Sequence, residues 1–247
     1  LDIRLFDSFN LAFTVISSGG FLPTNNLSNI TTNNLQILIL SITLLFPIFN
    51  FYLLFNIFTK QFKFQDHQED LHLGTIIIIL ASLFYFFIIP DEGIFSIFLA
   101  ITSSVSTSGI STYSSNFDAS LFFILLTIIG GSLISTSSGY KYIRFYILLK
   151  ISYQEIYRLV KPINIFNQNL FHSGSKIDEE DSKIVFLVFI SLIVAIFLLS
   201  SILALDSLSF ESSFKLSILT ITNTVTSSLY GMQNLSFFDL NVLTKIY

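Results

Sequence analysis

The chain has 247 residues, 52% hydrophobic and 11% charged, where soluble domains carry about 25% charged residues. A mean hydropathy of +0.75 excludes a soluble helical protein, which would have no polar surface to show water. The absence of cysteine excludes a disulfide framework and thiolate metal sites, and the net charge of −4 says little because the charges are unevenly placed.

No charge interrupts residues 8–59, 73–90, 93–117, 119–140, 184–205 or 216–238. A spanning helix needs about 20 apolar residues, so an all-α polytopic membrane protein is expected. Residues 6–16 are too short to span and run into Ser17-Ser18-Gly19-Gly20, which predicts a half-membrane helix and an extended return. Residues 22–34 read as an outer loop, 35–58 as a spanning helix ending at Lys60, and 61–72 as a charged cytoplasmic link. Residues 73–89 span back out to a turn at Pro90-Asp91-Glu92-Gly93. A second short helix over 94–104 meets Thr107-Ser108-Gly109. Residues 121–149 return inside, broken at Gly130–Gly139, and 184–205 go out again. Residues 210–222 form a third short helix, meeting Thr226-Ser227-Ser228. Most of the 12 Lys and Arg lie at 60–63 and 141–183, which the positive-inside rule places in the cytoplasm. The acid-bearing turns at Pro90–Gly93 and Asp118 fit the opposite side. Leu1 is not an initiator methionine and no signal-peptide pattern is present, so the sequence is read as a fragment missing material at both ends.

Spanning helix, short helix, hinge and spanning helix thus recur, and a repeat defines architecture more firmly than a single motif. Gly19 and Gly109 are taken as matching positions, with Ser227 at the third hinge. Irregular backbone cannot face lipid, because its N–H and C=O groups would lose their partners. It survives at membrane depth in protein or along a wet path, where carbonyls can replace the water around an ion. Glycine supplies the backbone angles this needs, and helix C-termini aimed at the hinge favour a cation. The candidate cation-coordinating residues are Ser17, Ser18, Gly19 and Gly20; Thr107, Ser108, Gly109 and Ile110; and Val225, Thr226 and Ser227. No Arg or Lys ring of the kind an anion path uses lies at the hinges.

The second feature is the run from Gly130 and Gly131 through Ser135, Thr136 and Gly139 to Lys141. A glycine cluster marks an unwinding point in a helix. The run reads either as close packing through small residues or as a flexible intramembrane loop able to block or clear a pore. His67, His72 and His172 fall in charged loops and read as surface residues. The Asp178-Glu179-Glu180-Asp181 run reads as the acidic first turn of a helix rather than a cation site. A catalytic serine in the loop would need a nearby base, and no His, Asp or Glu is placed at membrane depth, so no enzyme is expected.

These residues carry a resemblance. The hinges Ser17–Phe21 and Ser106–Gly109, and the run Gly130-Gly131…Ser135-Thr136…Gly139-Tyr140-Lys141…Arg144, resemble the Trk/Ktr/HKT superfamily of potassium transporters, above all its bacterial TrkH branch. Phe46…Asn50-Phe51, Lys161-Pro162, and Gly174 with Ile177–Glu180 extend the likeness over essentially the whole chain. The resemblance implies helix–pore helix–filter–helix units around a central pore. Residues 1–72 would hold the pore helix, filter and inner helix of repeat two. Residues 73–183 would be repeat three with a gating loop in its inner helix, and 184–247 repeat four up to just past its filter. It further implies potassium uptake across the cell inner membrane, as channel or symport, with the ion as substrate and no cofactor on this chain. The expected partners are membrane lipid, a second copy in a homodimer and a cytosolic nucleotide-binding regulatory subunit of Trk type, with no nucleic acid. The sequence departs from the pattern at Thr226-Ser227-Ser228, where Gly-Pro-Gly is usual, at Ile110, where an aromatic is usual, and at Ser138, where the loop has a second glycine. Less selective Na/K transport and a non-conducting structural subunit therefore stand as alternatives.

Overall fold

A computed structural model describes residues 3–24, 27–88, 93–112, 119–160, 170–171, 177–205 and 208–232. The turn at Pro90–Glu92, Asp118, Lys161-Pro162, His172, Gly174 and Lys176 lie outside the described residues. Among the described residues the regular structure is helical throughout: α1 (Leu5–Ser17), α2 (Asn34–Thr43), α3 (Phe51–Phe58), α4 (Gln68–Leu83), α5 (Ile94–Val105), α6 (Ser120–Ile129), α7 (Tyr142–Val160), α8 (Glu179–Ala204) and α9 (Phe210–Ile221).

Local chemistry starts these helices where the sequence permits it. Gln36 closes the N-terminus of α2 by accepting from the Thr32 and Asn33 amides at 2.8 and 3.2 Å. The Ser209 hydroxyl accepts from the Ser212 amide at 3.2 Å at the start of α9. Glu179, Glu180 and Asp181 form the first turn of α8, as expected for a run that complements the dipole. Two stretches, Phe64–Phe87 and Glu179–Ala204, are long and apolar enough to cross a membrane. α8 leaves Leu187, Ile190, Phe197 and Leu198 exposed along its length, an apolar surface suited to lipid rather than water.

The short helix α5 sits at the centre. Leu99, Ala100, Ile101, Thr102, Ser103 and Ser104 are fully buried in it. Ile97, Ala100, Ile101 and Val105 belong to one apolar cluster with α4, α6 and α9, while Leu99 joins a second with Leu11, Val15, Ile37 and Leu40 of α1 and α2. The hydroxyls on this helix return their hydrogen bonds to the preceding turn, Thr102 to the Phe98 carbonyl at 2.9 Å and Ser104 to the Ala100 carbonyl at 2.8 Å. Burial of these polar groups is thereby compensated within the helix.

Three expectations are corrected. Residues 35–58 do not form one spanning helix: α2 ends at Thr43 and α3 restarts at Phe51, with turns between. Pro47 lies in that gap; it has no amide to donate and its ring obstructs the preceding turn. Asn50 restarts the helix by accepting from the Tyr52 amide at 2.9 Å. Second, the helix expected from residue 73 begins at Gln68, within the expected link. A 3-10 turn at Phe64–His67 runs directly into α4. Third, His67 is 2% exposed rather than a surface residue. Phe62 stacks on its ring at 5.3 Å, and its Nε2 lies 3.0 Å from the Asn56 amide nitrogen.

Asp70, also buried, faces the gap between α2 and α3 and accepts from the Asn50 amide at 2.9 Å. Asp70→Ala removes that acceptor and should cost about 1–3 kcal/mol, read as a fall of several degrees in the thermal unfolding of the purified full-length protein. Asp70→Asn, which keeps an acceptor oxygen, should recover most of it.

Candidate ion pathway and gate

α1, α5 and α9 end in the same way. Ser18, Thr107 and Asn223 adopt left-handed φ of 53°, 61° and 51°. The following amides reach back into the last turn: Gly19 donates to the Thr14 carbonyl at 3.2 Å, Ser108 to Ser103 at 3.0 Å and Thr224 to Leu219 at 2.8 Å. A left-handed residue followed by this six-to-one bond is the Schellman closure of a helix. Usually glycine takes the left-handed place; here Ser, Thr and Asn hold it, and for β-branched Thr107 the conformation is a genuine outlier.

The closures set the register between hinges. Gly20 and Gly109, each two residues beyond the left-handed closure, share φ of 71° and 72°. The equivalent third position is Val225. Spacing in the sequence pairs Gly19 with Gly109 and Ser227; the backbone instead pairs Gly20 with Gly109 and Val225. The glycines are also where the hinges meet. A Cβ on Gly20 would stand 1.8 Å from the Ser108 carbonyl oxygen and 2.9 Å from Val225 Cγ2, and one on Gly109 2.6 Å from the Val225 carbonyl oxygen. Three segments far apart in sequence thus converge at backbone contact distance.

Their carbonyls are unengaged. Those of Ser18, Gly19, Gly20, Thr107, Ser108, Gly109, Asn223, Thr224 and Val225 accept no hydrogen bond from any described residue. Most of these residues are buried, and buried carbonyls require a partner. The hydroxyls of the second and third hinges bond to one another instead: the Ser103 and Ser106 Oγ lie 3.2 and 3.0 Å from the Ser108 Oγ, and the Thr222 Oγ1 lies 2.9 Å from the Thr224 Oγ1.

The remaining expected site residues fall at the edges. Ser17 is the last residue of α1 and donates to the Phe13 carbonyl at 2.8 Å. Ile110 buries its side chain in the cluster shared by α1 and α2. Thr226 continues hinge three, but the Ser227 carbonyl is taken by the amides of Tyr230 and Met232. A 3-10 turn at Ser228–Tyr230 follows.

The glycine–serine run does break its helix. α6 ends at Ile129 and α7 begins at Tyr142. The loop between them is stitched to the other break, around Pro47. The Ser132 amide donates to the Ile48 carbonyl at 2.9 Å, the Ser137 amide to the Pro47 carbonyl at 3.1 Å, and the Phe51 amide to the Ile134 carbonyl at 3.0 Å. Each broken helix thus supplies partners for groups the other has freed. Two carboxylates at the start of α4 complete the seam, Asp70 on the Asn50 amide and Glu69 on the Leu133 amide, both at 2.9 Å.

The loop also touches two hinges. The Ser138 amide donates to Thr107 Oγ1 at 3.0 Å, and Thr136 Oγ1 lies 3.4 Å from Ser18 Oγ. Ser135, Ser137 and Lys141 form a small polar knot in which the Lys141 ammonium donates to the Ser135 carbonyl and hydroxyl, each at 3.1 Å, and to the Ser137 carbonyl.

Sequence reasoning missed Glu69 and Asp70, which it left in the charged link and which sit against the two breaks. Nothing local marks them, since acids at the start of a helix are ordinary. It also missed Lys215. This lysine is buried in α9, donating to Ser120 Oγ at 3.1 Å and pairing with the exposed Glu211 at 2.7 Å. The signal was available: a lone cation in an apolar segment with an acid four residues before it.

No family model matches the chain, and comparison with curated proteins finds no match. Among solved structures, the fold is similar to that in the crystal structure of the potassium transporter TrkH from Vibrio parahaemolyticus, with a TM-score of 0.78 and 21% sequence identity. The match covers 99% of this chain and 55% of that one, so the chain spans about half the length of the structure it resembles. At that identity the likeness is one of fold: the repeated helix, short helix, hinge and helix of this chain are arranged as in the corresponding part of TrkH.

Proposed function

We propose that the protein moves potassium ions across a membrane, stripping their water at the three converging hinges and gating their passage with the Gly130–Lys141 loop. The observation that carries this reading is the set of unengaged carbonyls from Ser18–Gly20, Thr107–Gly109 and Asn223–Val225, gathered where Gly20, Ser108, Gly109 and Val225 meet. Neutral oxygens at the C-terminal ends of three short helices suit a cation, and a large weakly hydrated one such as potassium exchanges its water for carbonyls at least cost. The similarity to a potassium transporter supports the same substrate. Its activity is transport rather than catalysis.

On this reading residues 1–72, 73–183 and 184–247 belong to three successive pore repeats, the protein sits as a multi-pass protein in the cell inner membrane, and movement is downhill or by symport. A homodimer and a cytosolic nucleotide-binding subunit are the partners that would set the loop's position. A second reading, less selective Na/K transport, has its own support: Val225 replaces the left-handed glycine that the other two hinges carry.

Uptake of potassium or rubidium by the full-length protein, in a host lacking its own potassium uptake, tests the function directly. Restored growth at low potassium is expected; none, with the protein present in the membrane, would favour a structural subunit. Gly109→Ser places a Cβ against the Val225 carbonyl, and the potassium-over-sodium preference should fall by about tenfold or more, since distorting one coordinating position by about 1.4 kcal/mol has that effect. Unchanged selectivity would remove Gly109 from the filter. Deleting part of 132–138 should raise flux if the loop is a gate, and flux equal to the parent's would remove that role.

A further inference from the structure

Lys141 is held in an unusual way. Its ammonium has three oxygen partners, the Ser135 carbonyl, the Ser135 hydroxyl and the Ser137 carbonyl. None is charged, and no carboxylate of a described residue lies within ion-pair distance of it. Glu69, the acid that faces it, is already engaged with the Leu133 amide. Arg144 faces it too, with like charge. Lys141 is half-buried, and a lysine withdrawn from water is ordinarily paired with an acid. An ammonium in a cradle of carbonyl and hydroxyl oxygens has instead the ligands of a monovalent metal ion of similar size.

The cradle's position gives that ligand set a meaning. Thr136 lies against Ser18 of the first hinge, and Ser138 donates to Thr107 of the second. The cradle residues Ser135 and Ser137 therefore alternate with the residues that touch the hinges. On the proposed transport reading, an ion leaving the converging carbonyls would meet these oxygens with a positive charge already among them. Lys141 reaches them with φ of 79°, a left-handed conformation that an L-residue adopts only at a cost in energy. It is also the residue directly before α7. Letting go of the cradle would allow the backbone to relax at the point where that helix begins.

We propose that the Ser135–Ser137 turn is a monovalent-cation site in the gating loop, filled in the closed state by the chain's own Lys141 ammonium, which a potassium ion arriving from the hinges displaces. The exchange replaces one unit of positive charge with another, so the cradle oxygens keep a partner in both states. The released lysine is free to leave the left-handed region, and the loop loses its tie to α7. The hinges then do not merely feed the gate; the ion they deliver is what loosens it. This inference rests on the hinges and loop being one ion path.

The test is accessibility of the loop in full-length protein reconstituted in vesicles. Ile134 is 59% exposed, and none of the 247 residues is cysteine, so Ile134→Cys, in a full-length background with any cysteine outside these residues replaced by serine, gives one labelling site in the loop for a water-soluble maleimide. With Lys141 present, potassium or rubidium should speed labelling over equal sodium, because displacement loosens the loop. With Lys141→Met the sign should reverse. The empty cradle labels fast in sodium and is slowed by potassium, rubidium or ammonium ions, by about tenfold, the worth of one charge-assisted hydrogen bond. A lysine that only props the loop predicts faster labelling of Lys141→Met in every cation alike, and that result would overturn the proposal. If Lys141→Met does not fold, equal labelling of the lysine-containing protein in potassium and sodium would overturn it as well. Rubidium uptake by the same vesicles separates the two levels. Absence of uptake refutes the transport reading, whereas uptake with cation-independent labelling refutes only the cradle.

Discussion

Buried backbone in an apolar surrounding must find partners for its N–H and C=O groups, and this single requirement organises the structure. An unmet amide or carbonyl in hydrocarbon costs several kcal/mol. Where a helix runs on, as in α8, the requirement is met internally. Where a helix stops at depth, it must be met by something else. The three short helices satisfy their last turns by the six-to-one closure at Gly19, Ser108 and Thr224. That closure turns the chain sharply and leaves the next carbonyls with nothing to accept. The same step that ends each helix neatly thus creates a cluster of oxygens that only water or an ion can satisfy.

The two longer interruptions solve the problem differently, by solving it together. The break at Pro47 and the break at Gly130–Lys141 would each strand several polar groups if placed alone. Side by side, they exchange three backbone hydrogen bonds, and Glu69 and Asp70 take two further amides. The seam is therefore mutual. Moving the loop away from the hinges would uncover groups on the opposite segment, so any such motion would have to be matched by water or by movement around Pro47. α4, which carries both carboxylates, is the element that feels such a motion first.

Much of this was legible in the sequence for physical reasons. The three Ser/Thr hinges follow apolar runs too short to span, and Gly130-Gly131 with Gly139 in an uncharged segment favours a helix break over close packing. The acidic turn of α8 follows from dipole chemistry. Other features depend on contacts between distant residues. A proline in an apolar run permits either a kinked continuous helix or a full break, and the partner that favours the break near Pro47 is supplied by Ser132 and Ser137, some ninety residues away. The shift from Gly19 to Gly20 as the partner of Gly109 could not be read from glycine positions. It depends on which residue takes the left-handed closure, and Ser18 and Thr107 are poor sequence markers for that. His67 looked like a charged-loop residue because its neighbours Asp66 and Lys63 are charged, yet Phe62 and Asn56 enclose it.

The third hinge shows what happens when the glycine is missing. Val225 stands where Gly20 and Gly109 turn left-handed, and a β-branched residue resists that conformation. The chain defers its reversal. The Ser227 carbonyl is drawn into a 3-10 turn, and the left-handed residue is Gly231, at φ of 70°. A Cβ there would stand 3.4 Å from the Lys215 ammonium, so the deferred turn packs over a buried positive charge that neither of the other short helices carries. All three hinges share the closure, but beyond it two turn left-handed at glycine and the third does not. A ring of oxygens discriminates between cations by the number and field of ligands it can hold around the ion. With one segment continuing into a different turn and backed by a lysine, a cation held as proposed would meet a weaker field on that side. If the hinges coordinate an ion as proposed, discrimination would rest chiefly on the two whose glycines bring them into contact with their neighbours.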